Sequence, residues 1–271
     1  SRLARPMVPT GPLAVRWLGC EVGAIRAGTL VSAAIELENA GSATWRSRGN
    51  EGVKASYHWL DERGNPIVWD GLRTSLDRTV APGERISAAV VLRAPIPPGR
   101  YRLAFDLVDE GRAWFAELGS ATLEREADVA PRIERRLAAR GGDPAALAGQ
   151  EEPLVPEEEA EAIAHLGANV APAPDWSRRV LDAHQEGYAA VGGSIEAAKG
   201  LLGRAPRALE PWAPGTGRVP GFQHPLLCPS LVRGVEPEWL EEVEGLPALR
   251  PPAGEPWLYD GRITARLARS S

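Results

Sequence analysis

"ELENAGSATW", Glu36 to Trp45, decides the reading of the first half of this chain. Leu37 closes a run in which apolar residues fall at every second position, Val31, Ala33, Ile35 and Leu37. Ser32, Ala34, Glu36 and Glu38 occupy the positions between them. That period places one face in a core and the other against water, as in an antiparallel strand. Asn39-Ala40-Gly41 then ends the strand, because Asn and Gly tolerate the positive φ angles that a reversal requires. Trp45 follows four residues after Gly41, with enough apolar area to close one end of a core.

The same period recurs on both sides of this stretch. Val15 and Trp17 alternate with Arg16, and Val53, Ala55, Tyr57 and Trp59 form another inward set. Ile86, Ala88, Val90 and Leu92, then Tyr101, Leu103, Phe105 and Leu107, give two more. "DERGNP" (61–66), "APGE" (81–84), "PIPPGR" (95–100) and "DEG" (109–111) supply the turns. Short alternating strands with regular turns predict a mainly β protein, opening with an immunoglobulin-like antiparallel sandwich of about 110 residues.

Composition narrows the function classes. The 271 residues carry 31 basic and 36 acidic side chains, a net charge of -5, which argues against a nucleic-acid binder. No apolar run approaches the roughly 18 residues of a membrane span, and no signal peptide is visible. A cytoplasmic or envelope-associated location is expected. Cys20 and Cys228 are too few for a disulfide framework and read as two buried thiols, with a bridge between them as the alternative.

"ELENAGSATW", "APGE", "VVLRAPIPPGRYRLAFDL" and the later Trp114-Phe115 pair resemble the four-tryptophan immunoglobulin-like domain of autophagy receptors and many bacterial proteins. The resemblance covers residues 13 to 126. Pro98, Gly99 and Tyr101 match the family's proline-glycine pair before a tyrosine. Ile35 and Phe105 stand where two family tryptophans are expected. The resemblance implies a binding or spacing module without chemistry of its own.

Within that module, Tyr57, Trp59, Trp69, Asp70 and Arg73 are the candidate binding residues. They surround the hairpin "SYHWLDERGNPIVWDG", with His58 on the opposite face from Tyr57 and Trp59. Aromatic faces beside carboxylate and guanidinium groups suit a sugar ring or a protein partner.

Residues 1–12 read as an N-terminal extension, 127–167 as a helical linker and 168–271 as a smaller α/β or α+β domain with irregular Pro/Gly-rich segments. In the linker, a charged helix is expected over Arg132–Arg140, and Asp143 caps a short helix with Pro144 at its first position. Another helix opens at Pro156 ahead of Glu157, Glu158 and Glu159. "PDWSRRVLDAHQEGY" predicts a helix capped by Asp175 and ended by Gly187, and "YAAVGGSIE" a buried strand. A helix is expected over Pro237–Leu246, and a hairpin or late strand in "WLYDGRITARLA". The segment 174–196 is similar to part of family 2 glycosyltransferases, without an Asp-x-Asp metal motif, so no catalytic residue is carried over.

No phosphate loop, nucleophile elbow, H-E-x-x-H or C-x-x-C pattern occurs, and neither a metal nor a cofactor is expected. His224 and Cys228, in "GTGRVPGFQHPLLCPS", are the one thiol–imidazole combination. The sequence therefore predicts a non-enzymatic binding or assembly module with a glycan or protein partner, accessory to a surface-polysaccharide or envelope system. One alternative is a glycan-metabolism enzyme using His184, Arg218, His224 and Cys228 at a domain junction. The other is a structural subunit of a larger assembly.

Overall fold

The computed structural model describes residues 12–196, 217–235, 241–251 and 253–267. The chain is mainly β and divides into two compact units, residues 1–130 and 131–271. The expected extension lies, apart from Pro12, outside the described residues.

The first unit contains β1 (Val15–Val22), β2 (Ile25–Arg26), β3 (Leu30–Asn39), β4 (Ser47–Arg48), β5 (Glu51–Leu60) and β6 (Pro66–Val68). It continues with β7 (Thr74–Ser75), β8 (Arg85–Arg93), β9 (Gly99–Asp109), β10 (Ala113–Trp114) and β11 (Leu123–Ala130). One sheet has the order β1-β3-β8, all antiparallel. The other runs β2-β11-β9-β5-β4, with β10 on β9 and β6 and β7 on β5. The β2–β11 pairing is parallel, and β5 and β11 each lie antiparallel to β9. Both sheets feed one apolar core: Ile35, Leu37, Val90 and Leu92 from the first, Tyr57, Trp59, Leu103, Phe105 and Leu107 from the second. Ile35 and Phe105, the replacements for tryptophan, are fully buried there.

The turn after β3 is built differently from the expectation. Neither Asn39 nor Gly41 has a positive φ. Asn39 works instead through its side chain, donating from Nδ2 to Ala43 O (2.9 Å) and Val80 O (3.0 Å) and accepting from Gly41 N at 3.0 Å. Gly41 is required by proximity, since a Cβ there would sit 2.2 Å from Pro12 O. These bonds deliver Trp45 to Val80, with which it exchanges two backbone hydrogen bonds. The indole is fully buried, edge-on to Phe115 at 5.5 Å between ring centres.

The second unit corrects the linker expectation. Leu137–Arg140 is a strand, β12, not a helix, and Ala162–His165 is β13, so 131–167 belongs to this unit's sheet. Helix-favouring Ala and Arg are overridden because Leu137, Ala138, Ala162, Ile163 and Ala164 are buried in a parallel pair. The glutamates 157–159 form one 3-10 turn. Asp143 caps α1 (Pro144–Ala148) through Ala146 N at 2.8 Å, with Pro144 in the first turn.

Beyond these come β14 (Val170–Pro172), α2 (Trp176–Glu186), β15 (Ala190–Glu196), β16 (Arg218–Pro220), β17 (Leu226–Leu227) and β18 (Ser230–Val232). The chain closes with β19 (Glu241–Val243), β20 (Leu246–Leu249) and β21 (Trp257–Leu267). The larger sheet has the order β12-β13-β18-β15-β21-β14, with β16 on β21. It is mixed, parallel at β12–β13 and β15–β21. Gly187 ends α2 at φ 137°, while Asp175 makes no side-chain cap and accepts from Arg179 Nε at 2.5 Å.

A smaller sheet, β17-β20-β19, replaces the helix expected over 237–246. Glu244 and Gly245 both have positive φ (52° and 76°), the two-residue turn that closes a hairpin between Val243 and Leu246. Residues 237–240 of that expectation lie outside the described residues.

Candidate functional site

The site begins with the two faces of β5. Val53, Ala55, Tyr57 and Trp59 point into the core, and the intervening Lys54, Ser56 and His58 belong to the other face. Alternation makes that second face wet, yet all three are at least 97 % buried. The cause is the chain on either flank. The stretch from Trp69 to Arg73, between β6 and β7, folds over the face from one side. The β9–β10 hairpin brings Trp114 from the other.

Over His58 the two flanks meet. The Trp69 ring stacks on the imidazole, 4.1 Å between centres and 16° from parallel. Trp114 lies tilted over it at 4.5 Å, and the two indoles stand 6.4 Å apart, edge to face. His58 Nδ1 donates to the Trp69 carbonyl, while Nε2 faces Asp106 Oδ2 at 3.5 Å. Asp106 is itself fully buried and accepts from Leu107 N at 2.8 Å. Gly71 is needed beneath this lid, because a Cβ there would come 2.4 Å from Tyr57 O.

Arg73 forms the polar border. Its guanidinium carbon lies 4.6 Å from the Trp114 ring centre, a cation–π contact. It donates to Glu110 Oε1 (2.6 Å), Asp70 Oδ1 (2.5 Å), Ser56 Oγ (3.1 Å) and Gly71 O (2.7 Å). Trp69 keeps 47 % of its surface in solvent. The result is a half-exposed indole fixed from below by an imidazole and fringed by two carboxylates and a guanidinium.

Tyr57 and Trp59, expected among the binding residues, are corrected to core residues. They are 1 % and 0 % exposed, so no partner can reach them. Both clasp the Arg93 peptide: Tyr57 Oη accepts from Arg93 N at 2.7 Å, and Trp59 Nε1 donates to Arg93 O at 2.9 Å. They tie β5 of one sheet to β8 of the other. Trp69, Asp70 and Arg73 come together at the surface. His58, Trp114, Asp106 and Glu110 complete the cluster and were not singled out as binding residues. The signal for His58 was present, since a histidine between two inward aromatics must point at whatever covers the outer face.

The residues of the enzymatic alternative do not form a nucleophile and base. Burial is the main cause that pushes the Cys228 thiol up to about 11, which keeps it protonated among the apolar side chains of the second core. His224 is exposed and packs against Phe222. His184 is fully buried; its Nδ1 donates to Tyr188 O and its Nε2 accepts from Ser230 Oγ, each at 2.8 Å. Desolvation, reinforced by the Arg132 charge, lowers its pKa to about 4. Arg218 is paired with Glu186 at 2.5 Å and lies 3.5 Å from Asp260. Both cysteines are free thiols. Among the described residues no helix is long and apolar enough to cross a membrane.

No protein-family model matches the chain, and neither does any curated protein sequence. Among solved structures, the C-terminal domain of Wzt is similar at 9 % identity, over 46 % of this chain and 78 % of that one, with a TM-score of 0.31. A glycoside hydrolase family 2 β-glucuronidase aligns at 12 % identity over 51 % and 16 %, TM-score 0.30. The sporulation control protein Spo0M of Bacillus subtilis aligns at 15 % identity over 44 % and 49 %, TM-score 0.26. Likenesses this slight carry no functional argument.

Proposed function

We propose that residues 13–126 form an immunoglobulin-like sandwich, similar to four-tryptophan domains, that serves as a non-catalytic glycan-binding module. Two sheets over one core, closed by Trp45, support the fold reading. The observation that carries the function is the Trp69 indole, half exposed yet held flat on His58 and flanked by Trp114. A rigid aromatic face receives the apolar C–H side of a sugar ring, and Asp70, Arg73 and Glu110 meet its hydroxyls. The chain is accessory to surface-polysaccharide or envelope machinery in this reading. The protonated Cys228 and the buried, neutral His184 weigh against the enzymatic alternative.

A glycan array probed with the intact chain and with Trp69→Ala tests this. Binding that disappears in the variant supports the proposal. A blank array, together with recovery of a protein partner through the same surface, refutes it. A second reading, a subunit of a larger assembly, is favoured by Leu18, Leu30 and Val91, exposed at 41–51 % on the three-stranded sheet. Light scattering of the intact chain reads that one directly.

A further inference from the structure

Among the described residues Trp69 is the one exposed Trp, Tyr or Phe, with 47 % of its surface in solvent. One face of its indole lies on His58, 16° from parallel, so only the other is open. Trp114 adds no second face. The Arg73 guanidinium lies over its ring at 4.6 Å, and His58 and Trp69 pack against it at 4.5 Å and 6.4 Å. Ile67, Leu72 and Leu118 are the other large apolar side chains exposed on these flanks. They are aliphatic and give a sugar no second ring to stack on.

The polar fringe is largely committed to itself. Of the five N–H groups of Arg73, Nε serves Glu110, Nη1 serves Ser56 Oγ and Gly71 O, and Nη2 serves Asp70, which leaves one on Nη2. Asp70 Oδ2 and Glu110 Oε2 accept no hydrogen bond among the described residues. With Lys54, which lines the same recess as Arg73 and Glu110, two cations meet two carboxylates. No charge is left over, and the unspent capacity is chiefly that of acceptor oxygens.

We infer that the platform takes a single neutral sugar ring, laid on the open face of Trp69 with its hydroxyls donating to Asp70 and Glu110. This rests on the glycan-binding reading above. One stacking face makes one subsite, so the module recognises one unit of a glycan and does not follow a chain. Hydroxyls bring the donors that the fringe lacks. A carboxylate or sulfate brings acceptors, and its charge meets two carboxylates with one N–H left to receive it.

The test titrates the intact chain with methyl glycosides of glucose, mannose and galactose, each beside its trisaccharide: maltotriose, mannotriose and galactotriose. The methyl uronide of each sugar forms the third arm. The Trp69 indole signal in nitrogen–proton spectra reads the weak affinities. In the series that binds, glycoside and trisaccharide are expected to agree within about threefold, the statistical factor for three equivalent rings. A second stacked ring would add roughly tenfold. The uronide is expected to bind at least about fivefold more weakly than the neutral glycoside, with the gap closing as salt rises. Trp69→Ala, a change at a half-exposed position, is expected to abolish binding of both lengths by calorimetry. A trisaccharide more than tenfold tighter than its glycoside, or one that still binds Trp69→Ala, overturns the single subsite and leaves the glycan-binding reading standing. A uronide as tight as its neutral partner overturns the neutral class. Silence across every series overturns both this inference and that reading. The length and charge comparisons use wild-type protein, so they decide the matter even where the variant fails to fold.

Discussion

Trp45 and Trp59 are both fully buried indoles, and substituting each with phenylalanine separates what they do. Among the described residues Trp45 Nε1 has no hydrogen-bond partner, whereas Trp59 Nε1 donates to Arg93 O at 2.9 Å. Trp45→Ala removes the ring that closes the core and its edge-to-face contact with Phe115, and is expected to cost about 3–5 kcal/mol. Trp45→Phe keeps an aromatic ring and deletes a buried, unpaired N–H. Relief of that N–H, about 1–3 kcal/mol, offsets most of the lost packing, so the net cost stays within about 1 kcal/mol. Trp59→Phe loses comparable packing and also the Nε1 hydrogen bond to Arg93 O, which adds about 0.5–1.5 kcal/mol. Hydrogen exchange read by mass spectrometry on β3, β5 and β9 peptides of the intact chain reports the stability of the first unit itself. Trp45→Phe as damaging as Trp45→Ala, or Trp59→Phe no worse than Trp45→Phe, would refute the reasoning.

Two further outcomes concern the second unit. His184 is held neutral, with a folded pKa of about 4 against about 6.5 when unfolded. Below about pH 6.5 the unfolded chain takes up a proton that the native chain refuses. Stability is therefore fullest above that pH and falls by about 3 kcal/mol as pH drops to about 4. His184→Gln removes this contribution, so urea midpoints of wild type and variant should converge on acidification; parallel pH curves count against it. For the thiols, Cys20 is partly exposed beside Arg125 Nε and should react promptly with a disulfide reagent. Cys228, buried and protonated, should react only on unfolding, and rapid labelling of both would contradict its placement.

Much of the first unit was legible because its apolar period is local. Ile35 and Leu37 of β3, or Leu103 and Phe105 of β9, declare their face without reference to anything distant. What the period cannot declare is what lies over the other face. Lys54, Ser56 and His58 look like wet positions until Trp69 and Trp114 arrive from 11 and 56 residues away. The candidate site was therefore half visible: Trp69, Asp70 and Arg73 adjoin one another in sequence, but their partners on β5, β9 and β10 do not. In the second unit, α2 was readable from its own spacing and Gly187, and α1 from Asp143 and Pro144. The strands at 137–140 and 162–165 were not, because Leu and Ala favour helix and only the burial of Leu137, Ala138, Ala162, Ile163 and Ala164 in a parallel pair makes these stretches strands.

The central claim is that ligand meets the indoles of Trp69 and Trp114. Nitrogen–proton correlation spectra of the tryptophan indoles, followed during titration with a glycan that the array selects, address it residue by residue. The Trp69 and Trp114 signals are expected to shift with a common affinity, while those of Trp45 and Trp59 stay in place. Shifts at the buried pair with none at Trp69 and Trp114, or no shifts at all, would contradict the account.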